Sequence, residues 1–91
     1  MRTQNAKLPT SLQTSLLRAE RIHGRIYCLI EMNIFDKTVY CISISGEEFA
    51  AELVGDDSAE AQRIFEQVNK EGIPSYQLLD VVSDSKREKA F

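Results

Sequence analysis

Histidine, cysteine and clustered carboxylates are the residue types in this 91-residue chain that could perform nucleophilic, acid–base or metal chemistry. The chain has a single histidine, His23, which stands beside Gly24 in a predicted turn. Every catalytic scheme that uses an imidazole would depend on this one residue. No serine or cysteine nucleophile adjoins it in the sequence, so we interpret His23 as an exposed turn residue.

The two cysteines, Cys28 and Cys41, fall on neighbouring predicted strands. A four-residue loop at 33–36 would place them directly opposite each other. Facing residues have Cβ atoms about 4.5–5.5 Å apart, and a small strand shift would reach the roughly 3.8 Å of a disulfide. This register raises the hypothesis of a redox-sensitive pair. The alternative is two reduced cysteines that pack as small apolar side chains.

Metal and cofactor chemistry find little support in the sequence. The two cysteines and His23 match no zinc-site spacing. Asp56, Asp57 and Glu60 form the densest acidic cluster, which we interpret as the cap of a helix N-terminus, where negative charge is favoured. No phosphate-binding loop, dinucleotide fingerprint or nucleophile elbow occurs. We therefore predict no catalytic residues, no metal, no cofactor and no enzymatic activity.

The elements that position these residues begin with four stretches rich in β-forming residues. His23–Gly24, the segment 33–36 with Asn and Asp at its ends, and Gly46–Glu48 predict turns of two to four residues, so the strands form an antiparallel meander. On the second strand, Ile26, Cys28, Ile30 and Met32 share the face that we expect to be the core face, because side chains alternate along a strand. The predicted strands are 15–22, 25–32, 38–45 and 49–54.

The hydrophobic period then changes from two to 3.6 residues. Ala61, Ile64, Phe65 and Val68 share one helix face. Asp57 as the N-cap and Gly72 as the stop signal predict a helix over 58–71. Pro74–Ser75 opens a shorter helix, whose apolar side is Leu78, Leu79, Val81 and Val82.

The predicted fold class is α+β: a four-stranded antiparallel β-meander followed by two C-terminal helices packed on one face of the sheet. We predict a flexible N-terminal arm over 1–13, a single domain over 14–84 and a polar C-terminal tail over 85–91. A content of 43% hydrophobic residues is enough for one small core.

Charge and hydropathy limit the partners that the chain can have. The net charge is −3, and the basic residues concentrate before residue 28. An acidic domain is poorly suited to binding a phosphate backbone, so we predict no nucleic-acid partner. No stretch approaches the roughly 18–20 apolar residues of a membrane helix. We expect no membrane partner and a cytoplasmic location.

The second face of the predicted sheet is unusually apolar for a surface exposed to water. We interpret it as an interaction surface, because large exposed apolar patches mark contact sites. Tyr76, near the start of the last helix, packs beneath that helix or adds to the same surface. The predicted interaction residues are Tyr27, Leu29, Tyr40, Ile42, Ile44 and Tyr76.

Two segments of the chain carry a resemblance to a known family. Residues 61–65 (AQRIF) match a helix of the form A-x-x-(I/L)-(F/L), and residues 73–84 (IPSYQLLDVVSD) match a short helix of the form V-T-P-x-x-L-x-D-V-x-x-D. With the preceding meander, residues 16–84 resemble an uncharacterised family of small bacterial proteins, a domain of unknown function. Pro74–Ser75 departs from its Thr-Pro pair. The resemblance implies the same α+β layout, a bacterial cytosolic origin and no known activity, with Asp80 and Asp84 as fixtures between helix and sheet.

These observations predict a small non-enzymatic protein-interaction module. Its partner is another protein or a second copy of the chain, which would make a homodimer. The alternative is a regulatory accessory protein that binds a partner or a small ligand, with Cys28 and Cys41 as a redox-sensitive pair.

Overall fold

The computed structural model describes residues 12–89, with side chains over 13–86. Four antiparallel strands form one sheet in chain order, and two helices follow, so the predicted α+β class is confirmed. The strands are β1 (Leu12–Ile22), β2 (Arg25–Ile34), β3 (Lys37–Ser45) and β4 (Ala50–Gly55), and the helices are α1 (Ser58–Glu71), a 3₁₀ turn (Ser75–Gln77) and α2 (Leu78–Lys89).

The first two turns set the register of the sheet. His23 and Gly24 connect β1 to β2, and both have positive φ, at 51° and 80°, as in the hairpin turns that match strand twist. The second turn is Phe35–Asp36, with φ of 56° at Phe35. The predicted four-residue loop over 33–36 is wrong, because Asn33 and Ile34 continue β2 and pair with Thr38 and Lys37.

Helix α1 has the predicted bounds, because both of its ends have local signals. The Asp57 carboxylate accepts a hydrogen bond from the Glu60 main-chain N–H at 3.2 Å. Gly72 takes the left-handed conformation with φ of 64°, and its N–H donates to the Asn69 carbonyl oxygen. The stop therefore depends on a residue that lacks a Cβ.

One face of the sheet, which we call the core face, lies beneath the two helices. Helix α1 packs on β2 and β3, and α2 packs on β4. Complete burial of a large apolar side chain stabilises the fold by about 1.5–3 kcal/mol, so these contacts dominate the stability of the domain. The core face and the helices bury Tyr27, Leu29, Tyr40, Ile42, Ile44, Val54, Ala61, Ile64, Phe65, Val68, Ile73, Leu78 and Val82.

The sheet is covered on the face opposite to the one that the sequence predicted. Ile26, Cys28, Ile30 and Met32 lie on the uncovered side and are only half-buried. Alternation on β2 favoured this side, because its residues are apolar throughout. The covered face of β2 carries Arg25, Glu31 and Asn33 as well as Tyr27 and Leu29. The larger side chains of this face, led by Tyr27, fill the space under the helices.

The secondary structure extends beyond both predicted ends of the domain, from Leu12 to Lys89. The region of the predicted N-terminal arm contributes Leu12 and Gln13 to β1, while residues 1–11 lie outside the described residues. The predicted tail from residue 85 is wrong at its start, because α2 continues to Lys89. Ser85 is buried there, and its hydroxyl donates to the Gln67 side-chain oxygen at 3.2 Å.

Candidate functional site

The uncovered face of the sheet, which we call the open face, is an apolar surface on which no helix of the described chain packs. Pairing and alternation place its side chains. Residues from all four strands contribute, and β2 contributes five apolar residues at every second position. The open face comprises Thr14, Leu16, Ala19, Arg21, Ile26, Cys28, Ile30, Met32, Ile34, Lys37, Val39, Cys41, Ser43, Ser45, Ala51 and Leu53.

Exposure on the open face rises from its middle to its edges. Ile26, Cys28 and Ile30 on the central strand β2 are half-buried by their neighbours in the sheet. Leu53 on β4 is 54% exposed and Leu16 on β1 is 63% exposed. No helix in the described chain packs on this side. Contiguous exposed apolar surface of more than a few hundred Å² marks contact sites on proteins.

Charge is nearly absent from the open face. Arg21 and Lys37 are its only charged side chains among the described strand residues, and no carboxylate lies on it. Arg21 pairs with Ile26 near the first turn, and Lys37 pairs with Ile34 at the second turn. The two cations therefore stand at opposite ends of the sheet, and the surface between them is uncharged.

The two cysteines lie near the centre of the open face, but not opposite each other. Cys28 pairs with Ser43, and Cys41 pairs with Ile30. The two-residue turn shifts the pairing of β2 with β3 by two residues, so the predicted direct pairing of Cys28 with Cys41 is wrong. Diagonal neighbours have Cα atoms about 7–8 Å apart, which is beyond the roughly 7 Å that a disulfide bridges without movement of the backbone. Both are free, and burial raises the pKa of the Cys41 thiol.

The predicted interaction surface is also corrected. Five of its six residues belong to the core, because the helices cover the face that carries them: Tyr27, Leu29, Tyr40, Ile42 and Ile44. Tyr76 alone of the six is exposed, at 76%. Alternation correctly grouped the apolar residues of the open face. It did not show which of the two faces the helices cover.

Tyr76 borders a cleft of about 380 Å³ at one end of the sheet. The cleft lies between the first turn, the segment Gly46–Glu48 and the start of the 3₁₀ turn, and it brings His23 to the same place as two carboxylates. Ser75 donates a hydrogen bond to Glu48 at 3.3 Å. The lining is mostly polar and charged, including His23, Arg25, Glu47, Glu48, Ser75 and Tyr76.

Beneath this cleft, a hydrogen-bond network joins the sheet to the segment between the helices. Arg25 donates to the Gly72 carbonyl oxygen at 3.4 Å and to the Tyr27 hydroxyl at 3.5 Å. Tyr27 donates in turn to the Ile73 carbonyl oxygen at 3.0 Å. Arg25 is therefore already engaged in holding the fold together.

Strand β1 is tied to α1 through one arginine on the core face. The Arg18 guanidinium lies 4.9 Å from the centre of the Phe65 ring, a cation–π distance. The same group donates to Glu66 and lies 3.5 Å from Glu20. The hydrogen bond that Arg18 donates to the Glu66 carboxylate is the main cause that raises the pKa of Arg18. This edge strand is thereby fixed in position beside the open face.

Within residues 12–89, no group of three or more His, Cys, Asp and Glu side chains is placed to hold a metal ion. Asp57 acts as the predicted helix cap. Asp80 and Asp84, the motif positions of the family resemblance, are both exposed on α2. Neither helix of the described region is long and apolar enough to cross a membrane.

Comparison of the chain with known protein families, with curated proteins and with solved structures found no match.

Proposed function

We propose that this protein is a small non-enzymatic interaction module that binds a protein partner through the open face. One observation supports this proposal: the helices cover one face of the sheet, and the other face is apolar with few charged side chains. Exposed apolar area costs about 25 cal/mol per Å² relative to burial. A partner that covers this face therefore gains a driving force that the isolated chain leaves unused.

A ligand-binding accessory is the second candidate, and the cleft at Tyr76 favours it. Its volume of about 380 Å³ falls within the range of small-molecule sites, but such sites are mostly apolar with a few polar groups. This cleft is less apolar than that, and its Arg25 is held by Gly72 and Tyr27. The open face is thus the better supported of the two sites.

A cytoplasmic location is part of the same proposal. Free cysteines at positions 28 and 41 suit a reducing compartment, and the family resemblance implies a bacterial cytosol. We propose a cytoplasmic interaction module on these two grounds.

Site-specific photo-crosslinking in cells that naturally make the protein tests the use of the open face. A benzophenone amino acid at position 53 probes this face, and the same group at position 79 is the matched control. Leu53 and Leu79 are exposed to the same degree, at 54% and 55%, but Leu79 lies on α2. We expect a discrete crosslinked protein product from position 53 alone. No product there, or equal products from both positions, would contradict the proposal.

A further inference from the structure

We infer that the partner of the open face is a second copy of this chain. Two sheets would pack face to face about a twofold axis, with the helices outside. This inference rests on the proposed function, since it names the partner of the same surface. Isologous twofold contact is the commonest arrangement of soluble homo-oligomers, and it requires a patch that is complementary to itself.

The open face has the area that a stable dimer needs. Four strands about 4.8 Å apart, with a rise of about 3.3 Å per residue over the 10 residues of β2, give a face of about 600 Å². Two such faces bury about 1,200 Å² together, the size at which specific interfaces begin. A single extended peptide covers the width of one strand and leaves most of the face in water.

The charge distribution also selects a partner of the same kind. The surface between Arg21 and Lys37 presents only aliphatic, sulfur-containing and small hydroxyl side chains. A charged partner would lose hydration there without gaining an ion pair. The open face of a second copy offers an apolar surface of matching size, which is uncharged between the same two cations. In a face-to-face dimer Arg21 and Lys37 lie at the ends, where water solvates them.

The chain's own N-terminal segment is a poor candidate for the same place. Residues 1–11 read MRTQNAKLPTS, and their apolar members are Met1, Ala6, Leu8 and Pro9. This segment also carries Arg2 and Lys7, and the rest is polar. It cannot supply apolar contacts over about 600 Å², whereas a second sheet supplies a complete apolar layer about 10 Å away.

Light scattering across a concentration series in reductant is the first test. We expect the wild-type chain at twice its 10.3 kDa mass. Leu53→Asp places a charge in the interface and should weaken the dimer by about 100-fold or more. Leu79→Asp, on the helix side, should remain as dimeric as the wild type. Leu16→Asp repeats the test on another strand of the open face, and circular dichroism checks that each variant is folded.

The native cysteines show which surface the dimer uses. Cys28 and Cys41 stand near the centre of the open face, so maleimide labelling should slow as the wild-type protein is concentrated. The Leu53→Asp variant should label at a rate that does not depend on its concentration. A dimer paired through the edge of β1 would leave both thiols accessible at every concentration, and that result would overturn the inference.

The two proposals fail in different ways. A wild-type monomer at every concentration overturns the second-copy inference. If position 53 still crosslinks to a different protein in cells, the interaction module stands with another partner. If the chain is monomeric and position 53 yields no product, both proposals are wrong.

Discussion

The hydroxyl of Tyr27 donates a hydrogen bond to the main-chain carbonyl oxygen of Ile73 at 3.0 Å, across 46 residues of sequence. Tyr27 is fully buried on the central strand β2, and Ile73 follows the C-cap of α1. This contact joins the sheet to the segment between the two helices. The Tyr27 face lies beneath the helices, and this bond is one of the contacts that stabilise that arrangement.

Replacing Tyr27 with Phe should lower the free energy of unfolding by about 1–2 kcal/mol. The substitution keeps the ring but leaves the buried Ile73 carbonyl without its donor, and the loss of one partner of a buried hydrogen bond costs about that much. Urea denaturation measures the difference. Tyr76→Phe removes a hydroxyl from a side chain that is 76% exposed and should change the stability very little. Equal effects of the two variants would contradict the role assigned to the Tyr27 bond.

Replacing Gly72 with Ala should destabilise the domain by about 1 kcal/mol. Gly72 has φ of 64°, and an added Cβ would meet no atom within 4 Å. The loss of stability therefore comes from the backbone conformation and not from a clash with other atoms, because residues with a Cβ disfavour the left-handed region. Thermal unfolding is the measurement. Gly72→Asn should lose less than Gly72→Ala, since asparagine tolerates this conformation better. The reverse order would be evidence against the left-handed cap.

Phe35 should be replaceable by glycine with a gain in stability of about 0.5 kcal/mol. Its φ of 56° is unfavourable for a bulky residue by about 1–2 kcal/mol, whereas glycine costs about 0.5–1 kcal/mol in chain entropy. The ring is 78% exposed, so little burial is lost. Phe49 is similarly exposed at 71% but is not among the residues with positive φ. Phe49→Gly should therefore lower the stability in the same urea titration, and a loss at both positions would contradict the strained turn.

The thiol of Cys41 should ionise at higher pH in the folded chain than in the unfolded chain. Burial is the main cause that raises the pKa of Cys41 above its ordinary value of 9.0, and the charge of Glu52 acts in the same direction. The folded state holds this proton more tightly. Its contribution to stability is therefore complete below about pH 9 and is lost as the pH rises through the raised pKa.

The Cys28→Ala variant leaves Cys41 as the only thiol, and the pH dependence of its alkylation measures the shift. The experiment uses dilute protein, so that association does not shield the thiol. We expect the native midpoint to lie above the midpoint of the same variant in urea. A native midpoint at or below the urea value would show that Cys41 is not desolvated.

The sequence by itself determined the elements whose ends have local signals. Asp57 and Gly72 mark the ends of α1 at the predicted residues, because a cap is satisfied by main-chain groups within one turn. His23–Gly24 determined the first hairpin in the same way. The order of strands followed from short connections, which leave consecutive strands little choice but to pair.

Other features depended on signals that the sequence did not contain. Asn33 and Asp36 are typical turn residues and predict a loop over 33–36, and the expected pairing of Cys28 with Cys41 follows from that error. The observed two-residue turn places Phe35, a poor residue for a left-handed position, at its centre. The burial of Ser85 against Gln67 similarly depends on how α2 packs beside α1.

The tertiary structure alone decided which face of the sheet is covered, and with it the location of the candidate site. Alternation on β2 separated the two faces but favoured the wrong one, because the Ile26 set is apolar throughout and the Tyr27 set includes Arg25, Glu31 and Asn33. The choice came from contacts between residues far apart in the chain, with Tyr27 bonded to Ile73 and Arg18 stacked on Phe65. The alternation along one strand shows which side chains share a face. Which face becomes buried depends on the free energy of packing against the other elements of the fold.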